Sequence, residues 1–243
     1  MPSTQFFVSG THTPGDLVTL EGGDARKIRT VLRMRDGEPI TIVDSAGTTY
    51  HANLVFEGER VGARLQSTLS LAHAGTPRIV VDVAQAVPKG QKMDFVVEKV
   101  TELGARVILP FESERSMVGA VGTEKLARWG RLARTAAQQS GRTKVPHIEA
   151  PLGYDELLGR FGAYDVVLFA WELAERRPLR ETLPALIERA DSALVVVGPE
   201  GGFTHEEAQL ALEQSAKLLW LGEQILRSET AAMVLLSVLN YAK

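Results

Sequence analysis

Five nearly continuous apolar runs, Ile79–Ala84, Val107–Leu109, Val166–Ala170, Leu194–Val197 and Leu218–Leu221, recur through the last two-thirds of this sequence with longer mixed stretches between them. A strand with one wet face alternates polar and apolar residues, whereas an unbroken apolar run needs cover on both faces. The pattern predicts an α/β domain built on a parallel sheet with helices on either side. Met93, Val96, Val97, Val100 and Leu103 recur at helical spacing after the first run and predict a core-facing stripe. Thr204-His205-Glu206-Glu207 has the spacing of a capping box and predicts a helix start.

Residues from Phe6 to about Leu71 read differently. Strand-like alternation marks Glu38–Val43, Thr49–Phe56 and Arg64–Leu69, with Gly37, Gly47 and Gly58 as punctuation. One short helix, with Asp24 as its N-cap and running to about Met34, interrupts them. The expectation is a small β-barrel or half-open sheet. The break at Ala72–Pro77 divides the chain into residues 1–72 and 73–243.

Composition excludes several chemistries. The 243 residues contain no cysteine, which rules out disulfides, a thiolate nucleophile and cysteine-ligated metal. His12, His51, His73, His147 and His205 are scattered without metal-ligand spacing, so no metal site is expected. The segment Met1–Val8 lacks the basic start and apolar stretch of a secretory signal. The apolar run from Ala231 to Leu239 is interrupted by Ser237 and is far shorter than the ~20 residues of a membrane span. A cytoplasmic protein without a membrane partner is expected.

The formal net charge of −3 conceals local excesses. Between Arg115 and Ile148 stand seven basic residues (Arg115, Lys125, Arg128, Arg131, Arg134, Arg142 and Lys144) against one acid, Glu124. A second strip, Arg26 to Arg35, holds five basic residues and no acid. A helix over Thr123–Gln139 would set Leu126, Trp129, Ala133 and Ala136 on one side and Arg128, Arg131 and Thr135 on another. A solvated face is the plain explanation of such a stripe. The scarcity of acids favours a polyanion such as RNA, because pairing within the helix cannot neutralise it. Gln138, Gln139, Ser140 and Arg142 extend the polar patch. Aromatic residues do not interleave with these charges, which points to a folded RNA rather than a stacked single strand.

The residues suited to chemistry come late. Val195-Val196-Val197-Gly198-Pro199-Glu200-Gly201-Gly202-Phe203-Thr204 is a buried strand running into a glycine-rich loop and a capped helix. Glycines leave backbone bare to a ligand, and the helix N-terminus offers free N–H groups. A tight turn with no ligand is the bland alternative. The loop lacks the G-x-G-x-x-G order and the Gly-Lys-Ser/Thr ending of phosphate loops. Glu200 would repel phosphate, while a carboxylate suits ribose hydroxyls or a cation such as a sulfonium. Leu219 to Ala232 repeats the arrangement of strand, glycine loop and helix start, with Ser228 as N-cap. Taken alone, Ile225 and Leu226 read as packing residues and Arg227 as a surface charge.

Taken together, Gly198-Pro199-Glu200-Gly201-Gly202 and Leu221-Gly222 with Ile225-Leu226-Arg227-Ser228-Glu229-Thr230-Ala231 resemble the cofactor motifs of SPOUT methyltransferases, specifically the ribosomal RNA small-subunit methyltransferase E family (RsmE). Lys89-Gly90, Glu98–Gly104 and Ala136–Arg142 match as well, so the likeness runs from about residue 79 to the C-terminus. Nearer the start, Val31-Leu32-Arg33 and Gly37 are similar to the family's PUA-like β-barrel. Thr4-Gln5 and Asp24 stand where the family often has an arginine and a histidine.

The resemblance implies a SPOUT-type α/β domain with a trefoil knot, a homodimer, and methylation of uridine N3 in 16S ribosomal RNA of the small subunit, with S-adenosylmethionine as donor. Cofactor contacts would then fall on Gly198, Pro199, Glu200, Gly201, Gly202, Leu221, Gly222, Ile225, Leu226, Arg227, Thr230 and Ala231. Arg227 and Glu200 are the catalytic candidates. Arg33, Arg128, Arg131, Arg134, Gln139, Ser140 and Arg142 are the RNA-binding candidates. Rival readings are a SPOUT enzyme acting on a ribose 2′-hydroxyl or a guanosine, and a non-catalytic RNA-binding assembly factor. A nucleotide-dependent oxidoreductase lacks the fingerprint glycines.

Overall fold

Each of the five apolar runs that open the sequence reading contributes a strand, four of them largely buried between helices and the last, at Leu218–Leu221, only partly covered, while Ala231–Leu239 falls in a helix. The computed structural model describes residues 4–69, 79–116 and 121–241. In chain order the elements are β1 (Gln5–Phe7), β2 (Leu17–Leu20), α1 (Gly22–Arg26) continuing into a π-helical turn (Lys27–Leu32), β3 (Pro39–Val43), β4 (Thr49–Glu57) and β5 (Arg60–Leu69). Then come β6 (Val80–Ala86), α2 (Lys92–Glu102), β7 (Val107–Phe111), α3 (Thr123–Ser140), β8 (His147–Ile148) and α4 (Tyr154–Leu158). The chain ends with β9 (Val166–Ala170), α5 (Leu179–Ile187), β10 (Ser192–Val197), α6 (His205–Glu213), β11 (Lys217–Leu219) and α7 (Ser228–Tyr241).

Packing groups these elements into two units, residues 1–75 with 137–144, and residues 76–136 with 145–243. The boundary expected at residue 72 lies outside the described residues. The assignment of 137–144 to the first unit departs from a simple N-terminal and C-terminal division. Two side chains account for it: Gln5 Nε2 donates to the Arg142 carbonyl at 2.6 Å, and buried Gln138 Nε2 donates to Asp24 at 3.1 Å. Asp24 is therefore not the expected N-cap. Glu21 holds that position without a side-chain cap, and Asp24 sits inside the first turn of α1.

In the first unit the sheet order is β1-β3-β4-β5-β2, with β1 parallel to β3 and the other neighbours antiparallel. Strands β1 and β2 were not expected from the sequence, being too short to show alternation. Phe6, Ile28, Ile40, Ile42, Leu54 and Leu65 fill the core against this sheet.

The second unit carries a wholly parallel six-stranded sheet, β11-β9-β10-β6-β7-β8. Alternate residues of one strand serve opposite cores. Val83, Val195 and Val197 join Met93, Val96, Val97 and Val100 of the expected α2 stripe, together with Trp129 of α3 and Leu235 of α7. Leu194 and Val196 face Phe111, Phe169, Phe203 and α4 and α6 on the other side. Each fully buried side chain of this size contributes about 1.5–3 kcal/mol relative to exposure. The edge strand β8 escapes sequence reading because two residues carry no period.

Beside the cores lies one charged tie. Buried Asp82 on β6 accepts from Arg106 Nε and Nη2 at 2.9 and 2.6 Å, from the Val107 N–H at 3.1 Å and from the Tyr164 hydroxyl at 2.8 Å. Burial, and then the Asp82 charge, push the Tyr164 phenol well above its ordinary value, so it stays a donor at any working pH. Asp82→Ala should lower the unfolding free energy by about 3 kcal/mol, the low end for a broken buried pair because Arg106 remains partly in water. Tyr164→Phe should cost about 1 kcal/mol. Urea denaturation of the two variants measures both.

Candidate functional site

Three loops leave the carboxyl ends of β9, β10 and β11 on the same edge of the parallel sheet, the place where open α/β sheets bind ligands. They enclose a cavity of about 850 Å³, within the range of small-molecule and cofactor sites. Its walls are Ala170–Leu173 and Arg176, Val197–Phe203, and Trp220–Ser228, with Lys92 and Ala231 from α2 and α7. The two glycine loops picked out in the sequence therefore do face one space. Gly198, Pro199, Glu200, Gly201, Gly202, Leu221, Gly222, Ile225, Leu226, Arg227 and Ala231 all line it, and Thr230 lies outside it.

The capping box forms as expected: Thr204 Oγ1 accepts from the Glu207 N–H at 3.1 Å, and Glu207 Oε2 accepts from the Thr204 N–H at 2.9 Å. Its other oxygen, Oε1, accepts from the Glu114 N–H at 2.9 Å, which fixes the loop after β7 against the start of α6. From that loop, Arg115 Nη1 donates to the Gly201 carbonyl at 2.9 Å.

The glycines have different reasons for being there. A Cβ on Gly198 would stand 2.9 Å from the Phe203 ring, and one on Gly202, where φ is +67°, would collide with the Glu172 carboxylate. At Gly201 a Cβ would press on the Arg115 side chain at 3.2 Å. Gly222 lines the cavity at φ +124°, and a Cβ there would meet no protein atom within 4 Å, so backbone is bare toward the space.

Ser228 corrects another expectation. It is not an N-cap but the first residue of α7, and its buried hydroxyl donates to the Gly198 carbonyl while accepting from Gln85 Nε2 at 2.7 Å. One side chain thus joins the end of β6, the loop after β10 and the loop after β11.

Glu200 is also tied. Its Oε1 accepts from Lys92 Nζ at 2.8 Å and from the Lys89 N–H at 3.2 Å. Partial burial raises this carboxyl, but Lys92, its own N–H and that of Lys89 outweigh burial and hold it below the usual carboxylate range. A carboxylate so stabilised is a poor proton acceptor, which counts against a general-base role. Arg227 is exposed and pairs with neither Glu223 nor Glu229; Glu223 instead lies 3.8 Å from Arg176. Glu172, which sequence reading did not single out, faces the same space without an ion pair among the described residues. The one signal pointing to it is positional: its loop leaves the carboxyl end of β9, an apolar run already legible as a strand of the same parallel sheet. Lys92 and Arg176 gave no such signal.

The RNA-binding candidates are dispersed in character. Arg128 pairs with Asp94, which also accepts from Trp129 Nε1 at 3.0 Å, so one acid from α2 partly neutralises the stripe that looked unopposed in sequence. Arg131 is exposed and shares a second cleft of about 570 Å³ with Lys125 and Gln91. Arg134 is half-buried, and Gln139 and Ser140 are exposed. Gln138, bonded to Asp24, does not join the patch. Burial lowers the Arg142 guanidinium from its ordinary value, yet an arginine so shifted stays charged. In the first unit, Arg33 is exposed in a left-handed conformation at φ +52°. Among the described residues no three acidic or histidine side chains gather as a metal site, and no helix is long and apolar enough to cross a membrane.

Residues 76–240 match the model of the RNA methyltransferase domain family. Along 92% of its length the chain is 31% identical to the ribosomal RNA small subunit methyltransferase E of Bacillus subtilis, of which 89% is covered. The chain belongs to this family. The Mycobacterium bovis member is 30% identical, with 99% of this chain and 92% of that one covered. Among solved structures, the Neisseria gonorrhoeae member bound to S-adenosylmethionine superposes with a TM-score of 0.87 at 29% identity, over 98% of this chain and 97% of that one. A Legionella pneumophila protein in complex with the same cofactor gives 0.88 at 29% identity, over 100% and 98%.

The glycine geometry gives a direct test. Gly222→Ala should reduce affinity for S-adenosylmethionine at least about tenfold, because it puts a methyl group into cavity space that no protein atom fills and where the backbone is bare to a ligand. Titration calorimetry on the folded variant measures it, and an unchanged affinity would detach this loop from the ligand.

Proposed function

We propose that the chain transfers the methyl group of S-adenosylmethionine to N3 of a uridine in 16S ribosomal RNA of the small subunit. The observation that carries this reading is the cavity between the two glycine loops, in a chain of this family. The residues present fit the cofactor. Bare backbone at Gly222, the carboxylate of Glu200 and a volume of about 850 Å³ suit an adenosine ligand that carries a cation. When bound, the sulfonium supplies an activated methyl group, and the protein's task is to orient and deprotonate the nucleophile.

In neutral uracil, N3 carries a proton and its electrons are delocalised into two carbonyls. Loss of that proton puts negative charge on O2 and O4. Arg227, permanently charged and unpaired with Glu223 or Glu229, is assigned to stabilise that charge by directed hydrogen bonds. Glu200 is assigned to hold its loop against Lys92 and the Lys89 N–H rather than to take the proton. We assign the proton acceptor to Glu172, the cavity carboxylate without an ion pair among the described residues.

Around this centre the reading extends to a homodimer, a trefoil-knotted catalytic domain, a PUA-like barrel in the first unit, and a cytoplasmic place of work on the small subunit. The exposed bases Arg33 and Arg131, with Gln139, Ser140 and the partly buried Arg134 and Arg142, are assigned to RNA; Arg128 contributes less because Asp94 holds it.

Nucleoside mass spectrometry of 16S RNA incubated with the protein and labelled S-adenosylmethionine tests the reading: label on N3 of uridine supports it, label on a ribose 2′-oxygen or a guanosine replaces it. In single-turnover assays at saturating cofactor and RNA, Arg227→Ala and Glu172→Gln should each slow transfer about a hundredfold. Cofactor affinity should change far less. Arg131→Ala should flatten the salt dependence of RNA affinity by roughly 0.7–0.9 in log–log slope. Light scattering should give about twice the 26.4 kDa of the single chain.

A further inference from the structure

Val31 stands 71% exposed and Leu32 38% exposed on the turn that continues α1, whereas Ile28, three residues before Val31, is completely buried. In an α-helix successive residues rotate by about 100°, which would place Val31 and Leu32 on either side of Ile28 and turn all three toward the core. The turn is instead π-helical over Lys27–Leu32. The Arg33 N–H reaches the Ile28 carbonyl five residues back, and the Met34 N–H reaches the same oxygen at 3.0 Å. A wider turn gives each residue a smaller rotation and carries Val31 off the core side. Thr30 contributes by donating its hydroxyl to the Arg26 carbonyl at 2.8 Å, a back-bond that bends helices. Arg33 then takes the left-handed conformation and returns Met34 to the core.

This distortion is held from below. Arg29 Nη2 donates to the carbonyls of Gly58 and Arg60, and its guanidinium lies 4.8 Å from the centre of the Phe56 ring. Arg29 is thus occupied in fixing the turn to the β4–β5 hairpin. Arg26, Arg33 and Arg35 are exposed in the same segment, with Lys27 half-buried and no acid from 26 to 35. A turn that presents a β-branched apolar side chain in so basic a segment matches one kind of partner. Nucleic-acid proteins press such a wedge between bases while neighbouring cations take the flanking phosphates. Single π-turns of this kind gather at functional sites.

We propose that Val31, with Leu32 beside it, is a wedge that inserts at an unstacked step of a folded RNA, while Arg33 and Arg35 bind the adjoining phosphates. The inference rests on the RNA-modifying reading above and adds to it an apolar, salt-independent contact in the first unit. The binding role of Val31 is separable from that of Arg33 by salt. Loss of an apolar contact weakens binding equally at all ionic strengths; loss of a phosphate contact flattens the slope.

The test titrates a 16S ribosomal RNA transcript with full-length protein, Val31→Ser and Arg33→Gln over a series of salt concentrations. Melting temperature and S-adenosylmethionine affinity confirm that each variant is folded and competent. Val31→Ser should lower RNA affinity about tenfold or more, as expected from uncovering one valine, with the salt slope unchanged. Arg33→Gln should flatten the slope by roughly 0.7–0.9. Unchanged affinity of Val31→Ser for RNA that the parent protein binds overturns the wedge and leaves the methyltransferase reading intact. If Val31→Ser is normal on the transcript but weakened on intact small subunits, the turn meets ribosomal protein and the proposal is overturned in favour of that partner. If the parent protein binds no RNA and transfers no methyl group, the underlying reading fails and the wedge with it.

Discussion

The hydroxyl of Ser228 is placed where three separate parts of the second unit end, and the cavity exists because they end together. It donates to the Gly198 carbonyl and accepts from Gln85, so the end of β6 and the two loops after β10 and β11 share one buried atom. Removing it would leave the Gly198 carbonyl and the Gln85 amide without this partner inside the protein, a situation that costs about 1–3 kcal/mol per group. Beneath it, the parallel sheet supplies the rigidity. Valines at 83, 195 and 197 pack with residues of α2 and α7, so the strands that carry these loops are anchored in the core independently of the loop contacts.

A second layer of constraint works from the other face of the sheet. Glu207 caps its own helix with one oxygen and holds the loop after β7 with the other, and Tyr154 donates to the Glu207 carbonyl at 2.6 Å. Phe203 sits between, 4.1 Å from Phe169 and stacked parallel to Phe111 at 6.2 Å. Because that ring occupies the space where a Gly198 side chain would go, glycine at this position is required by packing as much as by the ligand. Arg115, counted in sequence among the basic residues of a nucleic-acid surface, is held on Gly201 by the same loop.

How much was legible in the sequence depends on how far each signal reaches along the chain. The apolar runs, the α2 stripe, the Thr204 capping box and the two glycine loops each declare themselves within about a dozen residues, and each stands where expected. Glu172, Arg176 and Lys92 were missed because no local pattern marks them; they enter the cavity only through the order β11-β9-β10-β6, which periodicity does not encode. Asp24 and Ser228 were misread for the opposite reason. Both have the chemistry of a helix cap, and both are taken by distant partners, Gln138 for one and Gln85 with Gly198 for the other. The apparent purity of the α3 charge stripe failed in the same way, since Asp94 comes from another helix.

Gln5 and Asp24 share a structural role. Gln5 and Asp24 are the residues that bind the 137–144 segment, through the Arg142 carbonyl and the Gln138 amide. Gln138 is buried, so its amide requires a partner nearby, and the Asp24 carboxylate supplies the acceptor. The bond fixes Gln138, which sequence alone would assign to an RNA-facing patch, inside the first unit, while Gln139, Ser140, Gly141 and Lys144 of the same segment stay exposed.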